Sequence, residues 1–261
     1  MTAEDMLKSG DPHGALDALR DQVRANPADA KLRVFLFQLL CVTCDWPRAV
    51  QQLKTAATLD PAAQTMAQMY REAIVAEVYR NRVFTGKATP GFRGDPPGWL
   101  ADLARALTMD IAGDAGAGPL RSAALDQAPA TPGTLNGAPF DWLADADTRL
   151  GPVLEIILNG AYVWLPFSDI ARITIDAPSD LRDMVWTPAT LTLADGTDMI
   201  GLIPTRYPGA ALEGPHALAR ATDWSKTGTG LGQRMFVTQN ADIPLLDVRE
   251  ITLATPAGHD G

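Results

Sequence analysis

Five groups of residues in this chain have types and spacings that could do chemistry. Cys41 and Cys44 form a C-x-x-C pair, the spacing of redox dithiols and of half a zinc site. A redox dithiol needs a βαβ setting and zinc needs a second ligand pair, and neither stands nearby, so both are expected to be small residues of a helical core. His13, His216 and His259 lie too far apart for metal-ligand spacing and are expected at the surface. Asp141, Asp145 and Asp147 are close enough to suggest calcium, but the loop glycine and terminal Glu of an EF-hand are missing. The alternative is that Asp141 caps a short helix on which Arg149, one turn beyond Asp145, pairs with it.

Arg206, Arg234 and Arg249, with Asp145, Asp147 and Arg149, form either a structural ion-pair network or a pocket for an anion or a partner's tail. Gly228, Gly230 and Gly232 make a Gly-x-Gly-x-Gly, yet the run leads into an apolar strand and lacks a Gly-Lys-Ser/Thr ending. A tight loop is expected there rather than a phosphate cradle. No nucleophile elbow, metalloprotease motif or paired-carboxylate constellation occurs. The expectation is therefore no enzyme, no catalytic residue, no metal and no cofactor, with an Asp/Arg active site among Asp145, Asp147, Arg206 and Arg234 as the rival reading.

The elements that must position these residues begin with a repeat. Sliding the sequence by 34 residues aligns Asp11 with Asp45, Ala15 with Ala49, Leu16 with Val50, Leu19 with Leu53, Asn26 with Asp60 and Pro27 with Pro61. That period belongs to tetratricopeptide repeats, whose unit is a pair of packed helices. Helices are expected at about 12–25, 29–43, 47–58 and 62–84, the last with Met66, Met69, Tyr70, Ala73, Ile74 and Val78 at helical spacing. Asp11 and Asp60 each stand as an N-cap before a Pro. Residues 85–98 are too rich in Gly and Pro for regular structure. A helix follows with Trp99, Leu100, Leu103 and Leu107 on one face, then a Gly-rich break at 113–118 and a short helix near 121–128.

Strands are expected only after residue 150. Asn159-Gly160 and Asp195-Gly196 mark two tight hairpins, and 235–238 and 248–253 read as further strands. The fold class is α+β in two parts, a short tetratricopeptide-like α-α superhelix followed by a mostly antiparallel β domain with flanking helices. The boundaries are 1–94 for the repeat domain, 95–130 for linking helices and 131–261 for the β domain.

The 261 residues carry 22 basic and 31 acidic side chains, a net charge of -9. Residues 1–94 hold 12 basic and 10 acidic groups while 95–261 hold 10 and 21, so a phosphate backbone would be repelled and nucleic acid is not an expected partner. The longest nearly apolar run, 34–44, is too short to span a bilayer, and the first residues carry Glu4 and Asp5 without an apolar core. No membrane insertion and a cytoplasmic location are expected, and two cysteines agree with a reducing compartment.

Several strings in the second half stand together: FDWLADADTRLGP (140–152), LEIILNGAYVWLPF (154–167), APSDLRDMVW (177–186), GLIPTRYPG (201–209), LARATDW (218–224), GLGQRM (230–235) and LLDVREI (245–251). In that order they resemble the ImpE/TagJ family, also called SciE-type, of bacterial type VI secretion clusters. The resemblance implies a non-enzymatic accessory of the contractile sheath. It would bind an N-terminal helix of the small sheath subunit and link the sheath to its recycling AAA+ ATPase. An adaptor of another bacterial complex is the nearest alternative.

One helix bears on that role. In VFLFQLLCVTC (34–44) only Gln38 and Thr43 are polar, so the helix is apolar nearly all round. Flanking helices and the C-terminal part would cover it in one reading. In the other, two repeats leave a groove open, with Phe35, Phe37 and Leu40 as anchors for a partner helix and Tyr70 and Ile74 on the facing wall. Positions 35 and 37 lie about 200° apart on a helix, so one of the two Phe residues belongs to the core.

Overall fold

The computed structural model describes residues 1–209 and 212–254. The chain opens with α1 (Ala3–Lys8), whose Thr2 and Asp5 form a reciprocal capping box that the sequence reading overlooked. The two repeats follow as α2 (Pro12–Ala25), α3 (Ala30–Val42), α4 (Trp46–Leu59) and α5 (Gln64–Phe84). The 34-residue register has a direct physical cause. Asp11 and Asp45 each cap the helix they precede, and Ala15, Ala49, Leu19 and Leu53 are all fully buried where the helices cross. Met69 and Val78, counted in the apolar pattern of α5, lie instead on its exposed side.

After β1 (Gly91–Phe92) come α6 (Gly98–Ile111) and α7 (Ala117–Gln127). The second part contains β2 (Gly133–Leu135), β3 (Ala138–Phe140), β4 (Leu143–Asp145), β5 (Val153–Leu158), β6 (Ala161–Pro166), β7 (Ile170–Thr174), β8 (Trp186–Leu193) and β9 (Asp198–Pro204). It closes with α8 (Gly214–Ala217), β10 (Thr222–Trp224), β11 (Gly230–Gly232), β12 (Met235–Thr238), β13 (Asp242–Pro244) and β14 (Glu250–Leu253). The fold is thus α+β in two parts, helices first and a mostly antiparallel sheet second.

The main sheet has nine strands in the order β1-β6-β5-β9-β8-β7-β14-β2-β3, and β13-β12-β4 form a smaller one. The Asn159-Gly160 hairpin is as expected, with φ of 50° and 75° at the two turn residues. Strands do not wait for residue 150. β1, β2, β3 and β4 precede it, each two or three residues long and therefore too short to show an alternating pattern. Gly91, inside the stretch expected to be irregular, runs parallel to β6 so closely that a Cβ would stand 2.8 Å from the Tyr162 carbonyl oxygen.

The sheet is apolar on both faces. One face, with Leu154, Ile156, Leu165, Ile173, Leu191 and Ile203, closes on Phe167, Phe236 and Leu245. The other, with Val153, Ile157, Tyr162, Trp164 and Trp186, joins the side chains of α1 through α7 in one continuous core. No helix among the described residues is long and apolar enough to cross a membrane.

Candidate functional site

The apolar helix α3 is covered by the chain itself. The segment Leu181–Met184 packs on it, and Trp186 at the start of β8 reaches Trp46 and Tyr70 at ring-centroid distances of 5.7 and 5.9 Å. Tyr70 in turn meets Phe37 at 5.7 Å and lies under the Arg182 guanidinium at 4.8 Å. Gln38, the polar residue within the apolar run of α3, donates to both Asp180 carboxylate oxygens. Of the two readings of α3, the covered one holds here, and the open groove of the other is filled. Phe37, Leu40, Tyr70 and Ile74 are buried, so they are core residues rather than surface anchors. Phe35 alone of the five remains half-exposed, on a shallow pocket edged by Lys31, Val34, Gln38 and Asp60. Sequence spacing could place one Phe in the core and the other outside, but not the long-range segment that covers the helix.

Beneath this aromatic seam lies the charged cluster. Arg80 of α5 binds Glu155 of β5 through Nε and Nη2, at 2.8 and 2.9 Å, and also donates to Glu77 and to the Arg206 carbonyl. Arg234 bridges Glu155 and Asp145, both of its partners fully buried. Tyr162 donates to Glu155, and Trp164 donates to the Tyr162 hydroxyl at 2.6 Å. Tyr207 donates to Asp145 at 2.9 Å. Two guanidiniums and three carboxylates, Glu77, Glu155 and Asp145, thus satisfy one another with nearly every donor paired, the condition under which buried charge is tolerated.

The electrostatics follow from that geometry. Burial alone would raise Glu155, but Arg80 and Arg234 overcome it and hold the carboxyl well below its ordinary range. Asp145 has one cation and a second carboxylate nearby, so burial prevails and pushes it up to about 6. Burial beside Asp145 also drives the Tyr207 hydroxyl far above its usual range, which keeps it a neutral donor.

Several candidate residues fall elsewhere than expected. Arg149 pairs with Asp147, not Asp145, at 2.6 Å. The helix that Asp141 would cap does not form, because Leu143, Ala144 and Asp145 are held as a strand by β12, about ninety residues away. Among the described residues Arg206 joins no ion pair. Its guanidinium donates to the carbonyls of Cys41, Val42 and Ala217 and so closes the C-terminal end of α3. Arg249 likewise donates to the carbonyls of Leu246 and Val248. Cys41 is core, but Cys44 is exposed, with φ of 59° just past the helix and its sulfur 3.8 Å from Arg206.

His13 is exposed, His216 is half-buried against Asp223 at 2.8 Å, and His259 lies outside the described residues. No cluster of metal-ligating side chains occurs among the described residues. The Gly-x-Gly-x-Gly run cradles a protein carboxylate: Gly230 N–H donates to Asp147 Oδ2 at 3.0 Å. A Cβ at Gly230 would stand 2.2 Å from the Tyr207 ring, so glycine is required by close packing.

Arg80 and Glu155, the centre of the cluster, carried one overlooked signal. Glu155 is the lone charge inside Val153–Leu158, a strand buried at every position. A charge in such a run requires a buried counter-charge elsewhere in the chain.

Fold and centre together define a helical-repeat layer clamped to a mostly antiparallel sheet through a sealed ion-pair seam. The X-ray crystal structure of a Vibrio parahaemolyticus protein superposes with a TM-score of 0.89, covering 97% of this chain and 98% of the other at 23% identity, a likeness of fold. The family model described as ImpE protein matches residues 137–252. A Pseudomonas aeruginosa protein, "Type VI secretion system accessory component TagJ", is 49% identical over 96% of this chain and 90% of its own length. The chain belongs to the ImpE/TagJ family.

Proposed function

We propose that this protein is a non-enzymatic accessory of a type VI secretion machine, an adaptor that holds an N-terminal helix of the small sheath subunit and links the sheath to its AAA+ recycling ATPase. The observation that carries the reading is 49% identity over nearly the whole chain to a protein named as such an accessory component. The buried centre supports a role without catalysis, since Asp145, Asp147, Arg206 and Arg234 are each at most 4% exposed: Arg234 pairs with Asp145, Asp147 accepts from Arg149 and the Gly230 N–H, and Arg206 donates to backbone carbonyls. A reaction would need at least one of them to meet a substrate.

The partner helix is assigned to the outer face of α3, where Phe35 is the apolar anchor left at the surface. Buried anchors dominate such contacts, so Phe35→Asp should weaken binding by thirtyfold or more, about 2 kcal/mol, with the fold intact. The test is retention of the cognate small sheath subunit by the full-length protein in a pull-down from purified components. Failure of the folded wild-type protein to retain it would overturn the reading. Equal retention by wild type and Phe35→Asp would move the site away from α3.

A further inference from the structure

The helical layer stops with one groove unfilled. In a stack of helix-pair repeats the next helix lies against the preceding pair, here α4 and α5. The chain does not supply it, because α6 packs chiefly on α7 and touches α5 only lightly. A groove of about 730 Å³ is left between α4 and α5, floored by Leu53, Ala57 and Ala67 and walled by Lys54, Gln68 and Arg71. Leu53 and Ala67 are buried, Ala57 is half-buried, and the three wall residues are exposed. Small residues on the floor let another helix come close.

The face continues along α5 past the groove. Gln64, Ala67, Arg71, Val75, Val78 and Arg82 succeed one another at steps of three or four residues, so they share one side of the helix. Val75 and Val78 are 66% and 45% exposed. Single apolar residues at a surface are ordinary, but these two prolong a groove.

The charge that lines the groove is basic. Lys54 and Arg71 stand in its walls with no carboxylate among the lining residues, and α4 contains no acidic residue. Among the described residues neither makes an ion pair, whereas Arg20, Arg24 and Arg48 of the same layer each do. The neighbouring acids are engaged elsewhere. Glu72 accepts from Gln68 and lies against Gly160, and Asp60 accepts from the Ala62 N–H and edges the Phe35 pocket. Arg82, at the far end of the stripe, stacks over the Tyr79 ring at 6.0 Å.

We propose that the α4–α5 groove and its extension along α5 dock an acidic amphipathic helix of a partner protein, laid where a third repeat would begin. A helix is the occupant because both walls are helices, whose ridges at three and four residues accept the ridges of another. Its small residues meet Ala57 and Ala67, its aliphatic residues meet Val75 and Val78, and its carboxylates meet Lys54, Arg71 and Arg82. From Gln64 to Arg82 the face is about 27 Å long, the length of a helix of about 18 residues. Phe35 is no part of the groove, so the proposal does not rest on the sheath-subunit reading.

The test titrates the full-length protein into a fluorophore-bearing peptide of three copies of Leu-Glu-Ala-Ala-Leu-Ala-Glu and reads anisotropy. Saturable binding is expected. It should fall about tenfold or more when Lys replaces every Glu, when the same residues are scrambled so that no apolar face remains, and with Val75→Asp. It should fall as far with Lys54→Glu/Arg71→Glu, and that double variant should instead bind the Lys peptide. Phe35→Asp should bind as wild type does. No saturable binding, or equal binding of the scrambled peptide, would overturn helix docking. Undiminished binding to the folded double variant would overturn the groove and its charge assignment, and an equal loss in Phe35→Asp and Val75→Asp would place the peptide on α3 instead.

Discussion

Glu155→Gln is the most informative single change, because Glu155 is the anion that two buried arginines share. The substitution keeps the shape of the side chain and removes its charge. Arg80 is left with Glu77, which lies toward solvent, and Arg234 with Asp145, while the Tyr162 hydroxyl loses an ionised acceptor. Breaking a buried pair by deleting one partner costs about 3–5 kcal/mol, and with two cations affected the upper end applies, about 5 kcal/mol. Arg80→Met is milder, because Glu155 keeps Arg234 and Tyr162, and about 3 kcal/mol is expected.

For a chain of this size those losses correspond to drops in Tm of roughly 10–20 °C and 6–12 °C. Urea unfolding followed by far-UV ellipticity and tryptophan fluorescence reads both the loss and its cooperativity. The helices and the sheet should melt together, since Arg80 and Trp186 fasten one to the other. Three results would refute the reasoning: a loss below about 1 kcal/mol in Glu155→Gln, a larger loss in Arg80→Met, or separate helical and tryptophan transitions in the wild type.

Three further outcomes are expected. Trp186→Ala should cost about 3–5 kcal/mol by opening a cavity between Trp46, Tyr70 and the sheet, read from the same urea curves. Gly230→Ala should cost about 1–3 kcal/mol by displacing the Tyr207 ring, while Gly228→Ala, which has open space but φ of 76°, should cost less; a reversed order in thermal melts would be evidence against close packing as the reason for glycine. Asp145, at about 6 against an ordinary 3.8, binds its proton more tightly folded than unfolded, so its contribution makes stability fall as pH rises from about 4 to about 6 and stay level above. Glu155, held low, acts in the opposite sense, with stability lost as pH falls below about 4.5. Urea midpoints taken across pH 4 to 7 should lose the Asp145 component in Asp145→Asn.

The helical layer was legible because its information is local. Asp11, Asp45, Ala15 and Ala49 recur at one spacing, and each does at its position what that residue type does in any helix pair. The two hairpins were legible for the same reason, since Asn159-Gly160 and Asp195-Gly196 fix their own turns. What escaped was set by distant partners. Nothing beside Leu143 in sequence says that β12 will draw it into a strand, and nothing beside Tyr70 says that Trp186 will cover it. The charged residues divide in the same way. Asp145, Asp147 and Arg234 could be singled out as a group because the chemistry of buried charge demands mutual partners, yet which pairs with which depends on strand register. Arg206 shows the limit, because the groups it satisfies are backbone carbonyls, present at every residue and therefore invisible as a sequence signal.

The seam also sets an order on biosynthesis. α2 through α5 contain their own local contacts and leave the ribosome before the sheet, but Arg80 meets Glu155 only after a further 75 residues and Arg234 arrives about 150 residues behind Arg80. At a synthesis rate of about 5–20 residues per second the nascent helical layer waits roughly 8–30 s with an uncovered guanidinium and a bare aromatic face around Trp46 and Tyr70. During that interval it is a target for chaperones and for sister chains emerging from the same polysome. A ribosome stalled between residues 84 and 186 would hold this half-built surface open, and crosslinking from Trp46 at that length would capture whatever the cell uses to guard it.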